Sequence, residues 1–175
     1  MKKEKQSTRI YARRLAEVAA SKREKILEVG FGRGISASVI EAQEVERHIV
    51  IEADKRASAR LVAFAKRRPR VTAIRGFWQE VTRTLPSESF GSVLYAASAL
   101  APDEGRLFFK EAYRLLKKGG VLTYLSEGKD FSPEYLALLR EAGFRDIQRS
   151  TFGVNSPDGS TIPQSDTMLV PVVFK

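Results

Sequence analysis

The chain of 175 residues contains no cysteine and a single histidine, His48. The lack of cysteine excludes disulfide bonds, thiolate metal sites and a cysteine nucleophile. One histidine argues against a histidine metal cluster and against a serine–histidine triad, so we expect no metal. No segment reaches the roughly 18 consecutive apolar residues of a membrane span, and we expect no membrane partner. The basic start of the chain leads into no apolar signal region, which favours a cytoplasmic location.

Negative charge is scarce in two segments of a chain whose formal net charge is +9. Residues 1–25 hold nine lysines and arginines against three glutamates, and residues 55–70 hold seven and no acid. Our first interpretation is a pair of solvated basic faces. Such segments also attract nucleic acid or another polyanion, and we keep this as the alternative. No zinc-finger or RNA-recognition motif accompanies them.

Apolar runs alternate with amphipathic stretches, which is typical of an α/β protein. The expected helices are Ser7–Ser21, Ile35–Ala42, Lys55–Arg67, Asp103–Lys118 (with Leu107 on its apolar side, and ended by Gly119–Gly120) and a helix capped by Ser132. The expected strands are Lys25–Val29, His48–Ala53, Val71–Gly76, one within Phe90–Ser98, Val121–Ser126, Phe144–Val154 and Asp166–Lys175. We therefore predict a doubly wound, mostly parallel seven-stranded sheet with an antiparallel C-terminal strand pair. One domain spans residues 1–175, with a basic helix in residues 1–24.

Three glycines, Gly30, Gly32 and Gly34, directly follow the first expected strand. A glycine-rich turn between a strand and a helix lets the backbone approach a ligand and directs helix N–H groups at it. The dinucleotide pattern requires a glycine at position 35, where this chain has Ile35, and no P-loop pattern is present. A nicotinamide oxidoreductase is therefore a distant alternative.

The second expected strand ends in Glu52, 22 residues after Gly30. A carboxylate at this place can accept hydrogen bonds from both hydroxyls of a ribose. The alternatives are an exposed strand-end acid, or an acid that pairs with Lys55 or Arg56. The glycine loop favours ribose binding, so loop and carboxylate together predict a nucleoside ligand.

The segments "ILEVGFGRG", "IEAD", "RGFWQEV" and "LLKKGGVLTYL" occur in the order and spacing of the class I S-adenosylmethionine-dependent methyltransferases. Together with "LREAGF" and the "PVVFK" ending, they resemble guanidinoacetate methyltransferase and related guanidino-group methyltransferases. The resemblance covers about Tyr11 to Lys175. It implies a Rossmann-like methyltransferase with S-adenosyl-L-methionine as cofactor and S-adenosyl-L-homocysteine as product.

The resemblance also implies a set of cofactor-binding residues. The loop from Phe31 to Ser36 would wrap the methionine part, Glu52 would hold the ribose, and Phe77 and Trp78 would lie near the adenine. For Trp78, a purely structural role in the core is an equal alternative. The implied set is Glu28, which would support the loop, Gly30, Phe31, Gly32, Arg33, Gly34, Ile35, Ser36, Glu52, Ala53, Asp54, Phe77, Trp78 and Ala96.

The two acceptor-binding carboxylates of that family are missing. The corresponding positions are Thr8, three residues before Tyr11, and Ala96, directly after "LY". A guanidinium without a carboxylate partner is costly to bury, so we expect the acceptor not to be guanidinoacetate. The catalytic group is unknown, with Glu127, Asp130 and Tyr95 as candidates.

Three hypotheses follow, in this order. The first is methyl transfer to a small molecule or to a guanidino or amino group, the second is an RNA methyltransferase, and the third is a non-catalytic cofactor-binding partner subunit. Methyl transfer requires alignment of acceptor, methyl and sulfur more than it requires a base, so the missing carboxylates do not exclude activity. The oligomeric state stays open.

Overall fold

The computed structural model describes residues 2–98, 100–126, 130–152 and 168–175. Strands and helices alternate through most of this part of the chain. The helices are α1 (Lys2–Ala20), α2 (Ile35–Ala42), α3 (Lys55–Ala65), α4 (Trp78–Val81), α5 (Pro102–Leu115) and α6 (Pro133–Ala142). The strands are β1 (Lys25–Val29), β2 (Arg47–Glu52), β3 (Val71–Arg75), β4 (Phe90–Tyr95), β5 (Leu116–Tyr124), β6 (Asp146–Phe152) and β7 (Met168–Phe174).

The seven strands form one sheet in the order β3-β2-β1-β4-β5-β7-β6. Strands β1 to β5 are parallel, and β7 runs antiparallel between β5 and β6. The predicted mostly parallel sheet with its antiparallel C-terminal pair is confirmed. The strand order reverses between β1 and β4, where the carboxyl ends of the strands leave room for a ligand.

Helices cover both faces of the sheet because strand side chains alternate between the faces. One face carries α1, α2 and α3, with Ile26 and Leu94 packed against the first two and Val50 against Leu61 of α3. The other face carries α4, α5 and α6 over a larger core, which includes Phe108. None of the helices in the described ranges is long and apolar enough to cross a membrane.

Tyr11 of helix α1 is almost fully buried and connects α1 to strand β7 near the C-terminus. The Tyr11 hydroxyl donates a 2.5 Å hydrogen bond to the carbonyl of Leu169 in β7 and accepts one of 3.0 Å from the amide of Ser126. Burial raises the pKa of Tyr11 to about 12, so the hydroxyl stays protonated. The N-terminal helix and the antiparallel pair therefore stabilise each other.

Several predicted boundaries were wrong. Helix α1 begins at Lys2 rather than at Ser7, and α3 ends at Ala65, before the expected Arg67. The short helix α4 was not predicted, since four residues carry too little periodic pattern to detect.

The largest error concerns the end of α5, which stops at Leu115 instead of running to Lys118. Gly119 and Gly120 lie inside β5, where backbone bonds join them to Lys175, the residue directly after β7. Gly119 has a φ of +72°, so the pair allows an irregular strand start rather than ending a helix. Leu107, expected on the apolar side, is 60% exposed.

Candidate functional site

The glycine loop lies between the carboxyl end of β1 and the start of α2. Gly30, Gly32 and Gly34 all have positive φ angles, of 93°, 51° and 74°. A Cβ at Gly30 would come within 2.5 Å of the Ala97 backbone, and one at Gly34 within 2.6 Å of the Phe31 ring. A Cβ at Gly32 would meet nothing within 4 Å. The chain's own packing thus requires two of the glycines, while the third faces open space that a ligand can fill.

The Glu52 carboxylate reaches under the glycine loop from the end of β2. Its Oε2 accepts hydrogen bonds from the amides of Phe31 (2.8 Å) and Gly32 (3.0 Å), and its Oε1 accepts one from Asp54 (2.8 Å). Glu52 is only 9% exposed, and no ion pair joins it to Lys55 or Arg56, which removes both alternatives considered from the sequence. A carboxylate has about four acceptor positions, so the loop and Asp54 use three of them.

A second carboxylate, Glu28, lies fully buried on β1 below the same loop. The Ser36 hydroxyl at the start of α2 donates a hydrogen bond to Glu28 Oε1. The buried His48 Nε2 lies 2.8 Å from Glu28 Oε2. The three hydrogen-bonded side chains join β1, β2 and α2. Glu28 therefore lies where it can support the helix that follows the loop. In the sequence, His48 mattered only because a single histidine argues against a metal cluster and a catalytic triad. Its position within an apolar strand was the signal that its side chain is buried.

The other residues of the loop and of the β2 end have distinct positions. Phe31 is buried, with its ring packed under Gly34 of the loop and against Phe64 of α3, at 5.5 Å between ring centroids. Arg33 and Ala53 are exposed, and Ile35 is half-buried. The Asp54 carboxylate accepts the Ala57 amide at 2.8 Å and caps α3.

The aromatic pair after β3 divides between surface and core. Phe77 is 62% exposed, whereas Trp78 is 7% exposed and packs edge-on against Phe108 at 5.1 Å. The Trp78 indole Nε1 donates to Glu104 Oε1 at 3.1 Å. Trp78 is therefore a core residue with one polar anchor, and Phe77 is the aromatic side chain that stays accessible.

Glu104 lies in the first turn of α5. Its Oε1 also accepts a hydrogen bond from the Tyr95 hydroxyl at 3.0 Å. Burial, reinforced by the Glu104 carboxylate, raises the pKa of Tyr95 to about 12. Tyr95 is thus a proton donor at neutral pH and is unsuited to act as a general base.

A cavity of about 240 Å³ lies beyond the carboxyl ends of β4 and β5. Its lining is Leu100, Leu125, Ser126, Asp130, Phe131, Ser132 and Tyr135. Of the candidate catalytic residues, Asp130 lines this cavity and pairs with Arg149 at 2.5 Å. Glu127 lies outside the described residues. Ala96, half-buried, directly follows β4, and its amide donates to the Val29 carbonyl at 2.8 Å.

Within the described ranges no group of acidic and histidine residues has the arrangement of a metal site. The residues that the sequence singled out therefore form two regions at one edge of the sheet. The first is the glycine loop with Glu28 and Glu52 under it, together with Phe77, which follows β3, the strand next to β2. The second is the cavity beside β5. Organic ligand binding is the chemistry that this arrangement supports.

Comparison with known proteins places this arrangement among transferases. Residues 3–129 match the family model described as guanidinoacetate N-methyltransferase, which is more than half of the chain. The match ends before β6 and β7 begin.

Similar solved structures share the fold. They include spermidine synthase from Thermotoga maritima, with 18% identity and a TM-score of 0.68, over 95% of this chain and 59% of that one. Fibrillarin from Aeropyrum pernix with natively bound S-adenosyl-L-methionine has 15% identity and a TM-score of 0.63, over 86% and 66%. A SAM-dependent methyltransferase from Archaeoglobus fulgidus has 18% identity and a TM-score of 0.58, over 77% and 66%. The chain spans about three fifths of the spermidine synthase. The cofactor expected from the sequence is the one named for the last two proteins.

Proposed function

Because the chain belongs to the guanidinoacetate N-methyltransferase family, we propose that it is an S-adenosylmethionine-dependent methyltransferase whose acceptor is not guanidinoacetate. One observation carries the cofactor assignment. The exposed side of the glycine loop is open at Gly32, and the Glu52 carboxylate lies directly behind the Phe31 and Gly32 amides. A nucleoside can approach the backbone there without meeting a side chain.

The residues present fit the cofactor in their chemistry. Glu52 supplies an acceptor for the ribose hydroxyls, and the loop from Phe31 to Ser36 supplies a glycine-lined surface for the methionine part. Phe77 supplies an exposed aromatic face near the adenine. When bound, the cofactor supplies a methyl group activated by its sulfonium.

Glu52 has two tasks in this proposal. Three backbone amides already use its carboxylate, so one acceptor position is left for two ribose hydroxyls. The ribose must therefore replace at least one loop amide at Oε2. We infer that cofactor binding shifts the Phe31–Gly32 segment, and that Glu52 holds the loop in place before the ligand arrives.

The acceptor assignment rests on what the site lacks. Neither Thr8 nor Ala96 can pair with a guanidinium, and burying an unpaired cation is unfavourable. The cavity of about 240 Å³ is smaller than most pockets for drug-sized ligands, so it suits one small acceptor group. Asp130 at its rim is the described carboxylate available to orient an amino group there, in competition with Arg149.

The test is calorimetric titration with S-adenosylmethionine and S-adenosylhomocysteine, comparing wild type with Glu52→Ala. Loss of charge-assisted hydrogen bonds should cost about 1.5–3 kcal/mol, which raises Kd at least tenfold. Glu46→Ala is the matched control, because Glu46 is an exposed carboxylate just before the opposite end of β2. No binding by the wild type would contradict the proposal.

Turnover is then screened with small amines and guanidines, with guanidinoacetate included. We expect no methylation of guanidinoacetate, and its efficient methylation would contradict the acceptor assignment. Cofactor binding without turnover of any acceptor would instead support the non-catalytic partner role considered from the sequence.

A further inference from the structure

The outer side of α3 and the turn after it carry a concentration of positive charge. Seven lysines and arginines and no acid lie in residues 55–70. One of them, Arg68, is folded back over the Phe64 ring at 3.8 Å and donates to the Phe64 carbonyl. The remaining six are all exposed, and we call them the α3 basic band: Lys55, Arg56, Arg60, Lys66, Arg67 and Arg70.

The positive charges of the α3 basic band are not neutralised by carboxylates in the described part of the chain. None of its six side chains forms an ion pair with a carboxylate in the part of the chain that the structure describes. Cations on the opposite face of the sheet behave differently, since Arg106 and Lys110 both pair with Glu141. Uncompensated like charges repel each other and weaken the folded state, and an external anion relieves that repulsion.

The band forms a row on the helix. Arg56 and Arg60 are four residues apart on α3, which puts them on one face of the helix, and Lys66 and Arg67 follow in the turn just after it. The exposed Ala59 and Ala63 lie between them and leave the helix surface accessible. Helix α3 itself is about 16 Å long, because its 11 residues rise by about 1.5 Å each. Midway along it, Arg60 donates to the Gly32 carbonyl at 2.9 Å, so the row passes beside the glycine loop.

The chemistry of the row favours a phosphodiester strand over other anions. Four of the six cations are arginines, whose planar guanidinium binds phosphate through two parallel hydrogen bonds. A membrane surface would require bulky apolar side chains on the same helix, and Val62 is the one large exposed apolar residue there. A protein partner would require an apolar anchor for the same reason. The row is one helix wide, which suits one strand rather than a duplex.

We propose that the α3 basic band binds a single strand of RNA, the nucleic acid that offers long unpaired stretches. The strand contacts the row through its phosphates and reaches the side of the glycine loop at Arg60. This binding does not depend on the proposed methyl transfer, because the six side chains lie outside the set assigned to the cofactor.

The experiment is fluorescence anisotropy with a labelled mixed-sequence 20-nucleotide RNA and no cofactor, from 50 to 200 mM salt. Affinity should fall as salt rises, with a log–log slope of about −0.7 for each phosphate contacted. The triple variant Arg56→Ala/Lys66→Ala/Arg67→Ala should make that slope shallower by about 2 and weaken binding at least about tenfold at 50 mM salt.

The matched control is Arg83→Ala/Lys118→Ala/Arg145→Ala, which removes the same charge from exposed positions elsewhere. It should keep most of the affinity, and thermal unfolding of both variants checks that they remain folded. Absence of salt-dependent RNA binding by the wild type, equal losses in both triple variants, or tighter binding of a 20-base-pair DNA duplex would each overturn the proposal. Failure to bind S-adenosylmethionine would leave it intact.

Discussion

The buried contact between Glu28 and His48 offers the sharpest test of how the site is supported. Both side chains are inaccessible to solvent, and His48 Nε2 lies 2.8 Å from Glu28 Oε2. We consider the variant His48→Leu, which keeps an apolar side chain of similar size but offers no hydrogen bond. Glu28 then keeps only the hydroxyl of Ser36.

The expected loss follows from two opposing effects. Removing one partner of a buried hydrogen-bonded pair costs about 3–5 kcal/mol, since the other partner stays desolvated. His48 Nδ1 is itself buried without a hydrogen-bond partner in the described structure, and leucine removes that cost of about 1 kcal/mol. The net destabilisation should therefore be about 2–4 kcal/mol.

Urea unfolding followed by circular dichroism measures this loss. A change of about 3 kcal/mol moves the unfolding midpoint by roughly 1–3 M urea and lowers Tm by about 6–12 °C. The control Glu141→Ala breaks exposed ion pairs and should cost less than about 1 kcal/mol. The double variant Glu28→Leu/His48→Leu should cost less than the sum of its single changes by about 1.5 kcal/mol or more. Additive losses, or a loss below about 1 kcal/mol for His48→Leu, would refute the reasoning.

Two further predictions concern the loop and the aromatic cluster. Gly30→Ala should strongly destabilise the fold, because its Cβ would lie 2.5 Å from the Ala97 backbone. Gly32→Ala should cost less stability, only the strain of its left-handed φ of 51°, and should also weaken cofactor binding, because its Cβ points into the open space of the loop. Thermal melts and calorimetry separate the two effects, and equal melting temperatures of the two variants would contradict this. The pKa of Tyr95 is raised to about 12, while an unfolded tyrosine loses its proton near pH 10, so high pH favours the unfolded state and stability should fall between about pH 10 and 12. Tyr95→Phe should reduce this loss of stability between about pH 10 and 12, as measured by urea unfolding across the range. An unchanged pH dependence of the free energy of unfolding would show that burial by Phe108 and Glu104 does not keep Tyr95 protonated.

Much of the fold could be predicted because local sequence patterns determine most of its helices and strands. The bounds of β1 and α2 agree with the expectation, since the glycine turn marks the end of the apolar strand β1 and the start of α2. The cap of α6 by Ser132 was also correct, with its hydroxyl accepting the Tyr135 amide at 3.3 Å. The antiparallel closing pair was predicted from two strand-like segments near the C-terminus that a turn-rich segment joins.

The errors share a cause, which is that tertiary contacts override local signals. Gly119–Gly120 has the pattern of a helix end, but backbone bonds to Lys175 place it in β5. Those bonds span more than 50 residues of chain, and no local pattern contains them. Leu107 fits the helical period of α5 and is exposed all the same, because the core ends one residue away at Phe108.

The site shows the same division. The sequence determined that a glycine loop and a strand-end carboxylate would lie at one edge of a parallel sheet, because both follow strands and such strand ends meet. Only the tertiary structure decided that Glu52 binds the loop amides, that His48 supports Glu28, and that Glu104 joins Trp78 to Tyr95. Hydrogen bonds between distant residues depend on how strands and helices are packed in three dimensions, and that packing is a property of the whole chain.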